Sequence, residues 1–145
     1  MRIIVDADAS PVRDLAAEIA KKADIPCVFV CDFNHVIHSD YASVVCVDKG
    51  NDSADFKILS MLQKGDLVIT QDYGLASLCL ARGAFCMHQS GRLYTEENID
   101  KLLFERFLSD KIRRSGGKMK PMKKRTKEED ELFRTALINW IAKVI

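Results

Sequence analysis

The sequence predicts an α/β fold, with helices on both faces of a central, mostly parallel sheet of about five strands. Short apolar runs of strand length alternate with amphipathic stretches of about ten residues, the pattern of successive strand–helix–strand units. Aspartates stand where several of these apolar runs end. The 145 residues have the length of one ordinary domain, and 48% of them are hydrophobic, enough to build a core.

The predicted elements follow one another without an internal repeat. Five apolar runs predict strands, over residues 2–6, 27–31, 43–47, 67–70 and 84–88. Helical spacing of apolar residues predicts helices over residues 11–23, 53–63, 73–82, 95–113 and 126–145. Ser10 is suited to cap the first helix, and Pro11 fits its first turn, where a missing N–H costs nothing. Thr126 and Glu129 have the spacing of a capping box at the start of the last helix.

The last two helices carry apolar stripes that should face the body of the protein. The stripe of the first of them is Ile99, Leu102, Leu103, Phe107 and Leu108. The stripe of the last one is Leu132, Phe133, Ala136, Leu137, Trp140, Ile141 and Val144. The second stripe is too apolar for a solvated tail, so we expect this helix to pack on the body or on a partner.

Composition excludes several classes of protein. No run of 18 or more apolar residues could span a membrane, and no signal peptide is visible at the start of the sequence. The five cysteines form no CxxC pair, which predicts reduced core thiols in a cytoplasmic protein. The three histidines have no zinc-site spacing and are expected on the surface or in loops.

Charge is distributed unevenly along the chain, although the net charge is only +1. Residues 111–127 carry nine lysines and arginines and no acidic residue, whereas residues 1–110 carry an excess of acids. The basic segment could bind phosphates of a nucleic acid, through Arg113, Arg114, Lys123, Lys124 and Arg125. Its alternative interpretation is a solvated connection over residues 115–125 that has no partner.

Five aspartates form the candidate site: Asp6, Asp8, Asp52, Asp55 and Asp72. Each lies at a predicted strand end or in the first turn of the helix that follows, and in a parallel sheet these places share one edge. Carboxylates held together repel one another unless a cation neutralises them, and Mg²⁺ or Mn²⁺ is the natural choice. Such an ion could activate a water for phosphodiester hydrolysis.

Several of these side chains also have a purely structural interpretation. Asp52 and Asp72 could cap helices, and Asp55 would favour the positive N-terminal end of its helix. Ser10 is expected to act as a helix cap rather than as a nucleophile. Thr70 could form a hydrogen bond at the end of its strand or support a carboxylate. An aspartate at the end of a buried strand gains nothing structurally unless it is paired, so Asp6 points most directly to function.

Three stretches carry a resemblance to a known family. They are Val5-Asp-Ala-Asp-Ala-Ser-Pro-Val12, then Asn51-Asp-Ser-Ala-Asp55 with Gly65-Asp-Leu-Val-Ile-Thr-Gln-Asp-Tyr-Gly-Leu-Ala76, and Gly91-Arg-Leu-Tyr-Thr-Glu-Glu-Asn-Ile99. Together they resemble the YaiI/YqxD family of uncharacterised bacterial proteins over almost the whole chain. Where that family commonly has cysteine after Asp-Ala-Asp-Ala, this chain has Ser10, which argues against an obligatory thiol.

The family is in turn similar to PIN-like domains, which are three-layer α/β/α nucleases with a central parallel sheet. The resemblance implies one PIN-like domain over residues 1–145, with a C-terminal helix packed on its body. It also implies Mg²⁺ or Mn²⁺, a nucleic-acid substrate and metal ligands at Asp6, Asp55 and Asp72. Asp8 is an additional acid that the family shares, and Asp52 stands beside Asp55.

Three functions follow as hypotheses. The first is a metal-dependent nuclease that hydrolyses RNA or DNA, with Asp6, Asp8, Asp55 and Asp72 as its catalytic carboxylates. The second is a non-catalytic PIN-like module that binds RNA or a protein. The third is a phosphatase of the haloacid dehalogenase type, because the run from Asp6 to Ser10 fits the nucleophile motif Asp-x-Asp-x-Thr. That fold needs a further acidic pair after a later strand, and nothing beyond Asp72 supplies one.

Overall fold

In the described part of the chain, six strands form one sheet at the centre of the protein. They are β1 (Ile3–Asp6), β2 (Cys27–Asp32), β3 (Ser43–Val47), β4 (Leu67–Ile69), β5 (Phe85–Met87) and β6 (Leu93–Tyr94). The order across the sheet is β3-β2-β1-β4-β5-β6, and all neighbours are parallel except β5 and β6. The computed structural model describes residues 1–32, 37–48, 53–114, 116 and 124–145.

The sheet confirms the predicted α/β class and adds one strand. The sequence predicted about five strands, and the sixth, β6, is only two residues long. Two residues are too few to produce a period-two pattern, so nothing in the sequence separates them from a loop. β6 pairs antiparallel with β5 and ends the sheet on that side.

Five helices among the residues that the structure describes cover the two faces of this sheet. They are α1 (Arg13–Lys22), α2 (Ser53–Met61), α3 (Tyr73–Ala81), α4 (Glu96–Arg114) and α5 (Lys127–Val144). The core on one face joins β-strand residues to α1 and α5, and the core on the other joins them to α2, α3 and α4. The result is the predicted three-layer α/β/α arrangement. Among the helices in the described part of the chain, none is both long and apolar enough to cross a bilayer.

The central strand β1 shows how the two cores arise. Side chains alternate along a strand, so Ile3 and Val5 enter the core beneath α1 and α5, while Ile4 enters the core beneath α2 to α4. Asp6 is two residues after Ile4, so the two side chains lie on the same side of the strand. Its carboxylate is therefore directed to the α2–α4 side, at the carboxyl end of the strand.

The strand order also identifies a crevice. From β1 the chain continues to β2 and β3 on one side, whereas from β4 it continues to β5 and β6 on the other. β1 and β4 are neighbours, so the direction of winding reverses between them. In open α/β sheets, ligands bind outside the carboxyl ends of the strands at such a switch point.

The last helix packs on the body, as its stripe predicted. Phe133, Leu137, Trp140 and Ile141 are buried, and Phe133 and Leu137 are fully enclosed in the core shared with α1. The capping box of Thr126 and Glu129 is present. The prediction of burial is wrong for two members of the stripe, Leu132 and Val144, which lie at its margins and are 66% and 45% exposed.

Three further predictions are corrected by the structure. The first helix begins at Arg13 rather than residue 11, and Ser10 is not its cap. Two successive turns occupy this segment, with Ala9 at a φ of 57° and the Ser10 N–H donating to the Ala7 carbonyl. In α4, Phe107 and Leu108 are exposed rather than inward.

All five cysteines are thiols rather than disulfides, and four of them are buried as predicted, but Cys46 is exposed because β3 is an edge strand. Of the predicted functional residues, Asp52 and Lys123 lie outside the described residues, as does His35.

Candidate functional site

Asp6 and Thr70 form the centre of the site at the β1–β4 crevice. Asp6 ends β1, and Thr70 directly follows β4. The Thr70 hydroxyl donates a hydrogen bond of 2.9 Å to Asp6 Oδ2, and it accepts one of 3.0 Å from the Asp72 N–H. Thr70 is only 3% exposed, so its hydroxyl orients the carboxylate from inside the protein. Thr70 therefore supports Asp6 rather than merely closing the strand.

The environment of Asp6 disfavours its charge. Burial raises the pKa of Asp6 from 3.8 to about 6, and the hydrogen bond from Thr70 opposes only part of this effect. The carboxylates of Asp55, Asp72 and Asp8 each raise the pKa further. The structure thus brings four predicted site aspartates close enough to interact electrostatically. A cation at this position would reduce the repulsion.

Asp72 has two roles that the structure defines. Its Oδ1 accepts a hydrogen bond of 3.1 Å from the Leu75 N–H, so the predicted capping of α3 is confirmed. The same oxygen lies 3.7 Å from Nη1 of Arg106 in α4. Arg106 was missed in the sequence, although an arginine three and four residues after Leu103 and Leu102 falls on the inward stripe of a helix. An arginine on such a stripe is the signal that could have identified it.

Asp8 and Asp55 approach Asp6 from different elements. Asp8 lies in the turn after β1, and its Oδ2 accepts a hydrogen bond of 3.1 Å from the Asp32 N–H at the end of β2. Asp55 lies in the first turn of α2 and is half-buried. The acidic first turn also suits the positive end of the helix.

A small recess opens beside the Asp6 carboxylate. Ser10, Thr70, Gln71 and Gln89 line it together with Asp6, and its volume of about 10 Å³ is near the space that one water molecule needs. Ser10 therefore shares a cavity with Asp6, although it does not cap α1. Gln89 is a second residue that the sequence analysis did not identify.

Aromatic side chains close the site on the β5–β6 side. The Tyr94 hydroxyl donates a hydrogen bond of 3.0 Å to the Thr70 carbonyl, which fixes the chain at the end of β4. The ring of Tyr73 lies 5.8 Å from that of Tyr94 and 6.4 Å from that of His88, measured between centroids. Burial, then Arg92 and Arg125, lower the pKa of His88. These effects favour the neutral form of the His88 ring.

The loop of residues 88–92, which carries Gln89, is held by the segment around α5. Arg125 donates a hydrogen bond of 2.9 Å to the Gln89 carbonyl and one of 2.6 Å to Asp130 Oδ1. Gly91 has a φ of 91°, and a Cβ there would lie 2.6 Å from the Cβ of Ala136. Glycine is required at this contact for both reasons.

The predicted phosphate-binding residues differ in their surroundings. Arg113 and Arg114 are exposed at the end of α4, and Lys124 is exposed before α5. Arg113 pairs with Asp110. Arg125 is half-buried and committed to Asp130 and the 88–92 loop, so its predicted phosphate contact competes with a structural role.

The donor set fits a hard cation better than a soft one. Across the residues that the structure describes, no three His, Cys, Asp or Glu side chains are close enough together to form a complete metal site. Mg²⁺ needs only one or two carboxylates and keeps several waters, so loosely grouped carboxylates around a charge-destabilised Asp6 suit its chemistry.

Comparison with known proteins shows which sequences this chain is similar to. A model of the uncharacterised YaiI/YqxD family matches residues 4–143. A UPF0178 protein of Ruminiclostridium cellulolyticum is 48% identical over 141 residues, which cover 97% of this chain and 92% of the relative. A UPF0178 protein of Enterococcus faecalis is 47% identical over 144 residues, 97% of each chain.

Among solved structures, a mutant of Rae1 (YacP) from Bacillus subtilis is 16% identical with a TM-score of 0.46, and the similarity covers 100% of both chains. The family match and the sequence identities are far stronger than this structural likeness. By these matches, the chain belongs to the YaiI/YqxD family.

Proposed function

We propose that this protein is a Mg²⁺- or Mn²⁺-dependent nuclease that hydrolyses phosphodiester bonds of RNA or DNA, with a PIN-like fold. The observation that carries the proposal is the position and electrostatics of Asp6. Its carboxylate ends the central strand at the switch-point crevice, is oriented by Thr70, and has a pKa raised to about 6 by burial and by Asp55, Asp72 and Asp8. A carboxylate whose charge is disfavoured by burial and by neighbouring carboxylates is typical of a functional site.

One or two of the carboxylates of Asp6, Asp8, Asp55 and Asp72 would contact the cation directly, and the others would contact it through its bound waters. Asp52 would be a further ligand from the segment outside the described residues. The bound ion would supply Lewis-acid catalysis to the hydrolysis of the phosphodiester. Thr70 would keep Asp6 in one orientation through its hydroxyl. Ser10 and Gln89 would supply polar contacts at the edge of the recess that they share with Asp6.

Arg106 would bind a substrate phosphate beside the carboxylates. It lies 3.7 Å from Asp72, and the pair is partly exposed, so a phosphate can approach the guanidinium. Arg113, Arg114, Lys123 and Lys124 would attract the backbone at longer range. We expect Arg106→Ala to weaken binding of single-stranded RNA several-fold, and Lys124→Ala to reduce mainly the salt dependence of binding.

The test begins with calorimetric titration of Mn²⁺ into the wild type and the Asp6→Asn variant. Asparagine keeps the shape of the side chain and an acceptor for Thr70 but removes the charge. We expect binding to the wild type that this substitution abolishes. Asp14→Asn is the matched control, because Asp14 lies exposed on α1 and should leave binding unchanged.

Labelled single-stranded RNA and DNA are then incubated with Mn²⁺ and each variant. The nuclease proposal predicts cleavage by the wild type and the Asp14→Asn control, and none by Asp6→Asn. A non-catalytic module would bind RNA equally well in all three without cleaving it. A phosphatase would instead hydrolyse a phosphate monoester such as p-nitrophenyl phosphate. Absence of Mn²⁺ binding to the wild type, both alone and with RNA, would refute the proposed site.

A further inference from the structure

Helix α4 has apolar residues on two opposite sides. Ile99, Leu102 and Leu103 pack against the body. At 100° per residue, Phe104 and Leu108 lie on the far side of the helix, whereas Phe107 lies on its flank, about 40° from Leu103. Phe104, Phe107 and Leu108 are 60%, 53% and 43% exposed. A helix that is apolar on both sides is normally covered on both. The outward side of α4 is therefore a candidate interaction surface.

The outward side also has an ordered arrangement of charge. Spacings of three and four residues along it select six exposed positions, the α4 seam, which are Glu97, Asp100, Phe104, Phe107, Lys111 and Arg114. Acids occupy the N-terminal end of the seam, aromatic rings its middle and bases its C-terminal end. This alternation of three and four is the one that pairs helices in coiled coils.

The α4 seam is complementary to itself when two helices run antiparallel. A two-fold axis midway between residues 105 and 106 places Phe104 opposite Phe107 of the partner subunit. The same axis places Asp100 opposite Lys111 of the partner subunit, and Glu97 opposite Arg114 of the partner subunit. Every seam position thus meets a residue of matching chemistry, and each pair occurs twice because the contact is isologous.

From this match we propose that the protein forms a homodimer through antiparallel pairing of α4 across the α4 seam. Charges beside the seam agree with this assignment, because they pair within their own helix: Lys101 with Glu105, and Arg113 with Asp110. Lys111 stays on the seam, with its Nζ 5.3 Å from the centre of the Phe107 ring. The inference stands independently of metal binding and of nuclease activity.

The size of the contact sets the expected strength of the dimer. The 19 residues of α4 extend about 28 Å, so one helix pair makes a contact below the roughly 800 Å² per partner of a standard interface. Contacts of that size are weak, and we expect a dissociation constant in the range of about 1 to 100 µM.

Sedimentation equilibrium of the full chain in EDTA tests the proposal, over protein concentrations of about 1 to 200 µM. The apparent mass should rise from the 16.4 kDa of the monomer towards twice that value. Phe107→Asp should raise the dissociation constant roughly 30-fold or more, because it places a charge at the centre of the interface. Phe107 is exposed, so circular dichroism should show an unchanged fold.

A charge exchange tests the antiparallel register. Asp100→Lys or Lys111→Asp alone brings like charges together and should weaken the dimer roughly tenfold, whereas the double variant should restore it. A parallel pair would place each residue opposite itself, so like charges would meet in the wild type and in every variant, and neither single substitution would weaken the dimer. Failure of this rescue, or a wild type that remains monomeric, would overturn the proposal. A monomer whose RNA binding falls with Phe107→Asp would assign the seam to nucleic acid and overturn it as well.

Discussion

Replacing Asp6 by asparagine should stabilise the metal-free protein against unfolding at neutral pH. Asp6 is charged at pH 7.5 in both the folded and the unfolded chain, but folding moves that charge into a buried position beside three other carboxylates. Asparagine has no charge to bury, and its side-chain oxygen can still accept the hydrogen bond from Thr70.

The magnitude follows from the raised pKa. Because the folded protein binds the proton of Asp6 more tightly than the unfolded chain, this residue stabilises the fold fully below about pH 4. That contribution is lost as the pH rises through about 6. A rise from 3.8 to about 6 corresponds to roughly 3 kcal/mol at most. Partial exposure of the side chain reduces this value, so we expect a gain of about 1 to 3 kcal/mol for Asp6→Asn at pH 7.5.

Urea unfolding in EDTA at pH 7.5 and pH 4 measures the effect. The free energy of unfolding of the asparagine variant should exceed that of the wild type at pH 7.5, and the difference should shrink towards zero at pH 4. Equal or lower stability of the variant at pH 7.5 would refute the electrostatic reasoning.

Asp66→Asn is the control for burial alone. Asp66 is only 1% exposed, but its carboxylate accepts hydrogen bonds of 3.0 and 2.9 Å from Arg2 and of 2.9 Å from the Gln63 N–H. Loss of this paired charge should destabilise the protein by about 2 kcal/mol or more, which is the opposite sign.

Three further outcomes are expected. Thr70→Val removes the hydroxyl that orients Asp6 and should lower the free energy of unfolding by about 1 to 3 kcal/mol, whereas Thr70→Ser should nearly retain it in the same urea assay. Gly91→Ala should cost about 3 kcal/mol because its Cβ meets Ala136, against about 1 kcal/mol for Gly65→Ala, where nothing lies within 4 Å. The affinity for Mn²⁺ in calorimetry should fall roughly tenfold per pH unit below about pH 6, as Asp6 takes up its proton.

Local pattern predicted much of the fold. The order of strands and helices, the capping box of Thr126 and the packing of α5 all rest on runs long enough to show a period. The predicted N-cap at Ser10 failed because the preceding turns, with Ala9 in a left-handed conformation, leave α1 to begin at Arg13. The N-cap propensity of serine is a property of that residue alone, whereas the turn that precedes α1 is determined by contacts of the chain after β1.

The carboxylates were predictable for a different reason. Parallel topology brings strand ends to one edge, so Asp6 and Asp72 could be placed from the sequence alone. Arg106 and Gln89 could not, since their approach depends on how α4 and the 88–92 loop pack in three dimensions. The exposed Phe107 was assigned inward because helical spacing identifies a stripe but does not say what covers it.

The contacts between the α5 segment and the 88–92 loop have a consequence for the order of folding. Arg125 donates a hydrogen bond to the carbonyl of Gln89, which lies 36 residues earlier in the chain. Gly91 lies against Ala136, which belongs to the same distant C-terminal part of the chain as Arg125. Contacts that close long loops form later than local helices, so α4 should be helical while the 88–92 loop is still open. The recess beside Asp6 is then among the last regions to reach its final shape, because the contact of Thr70 with Asp6 also closes a long loop, of 64 residues.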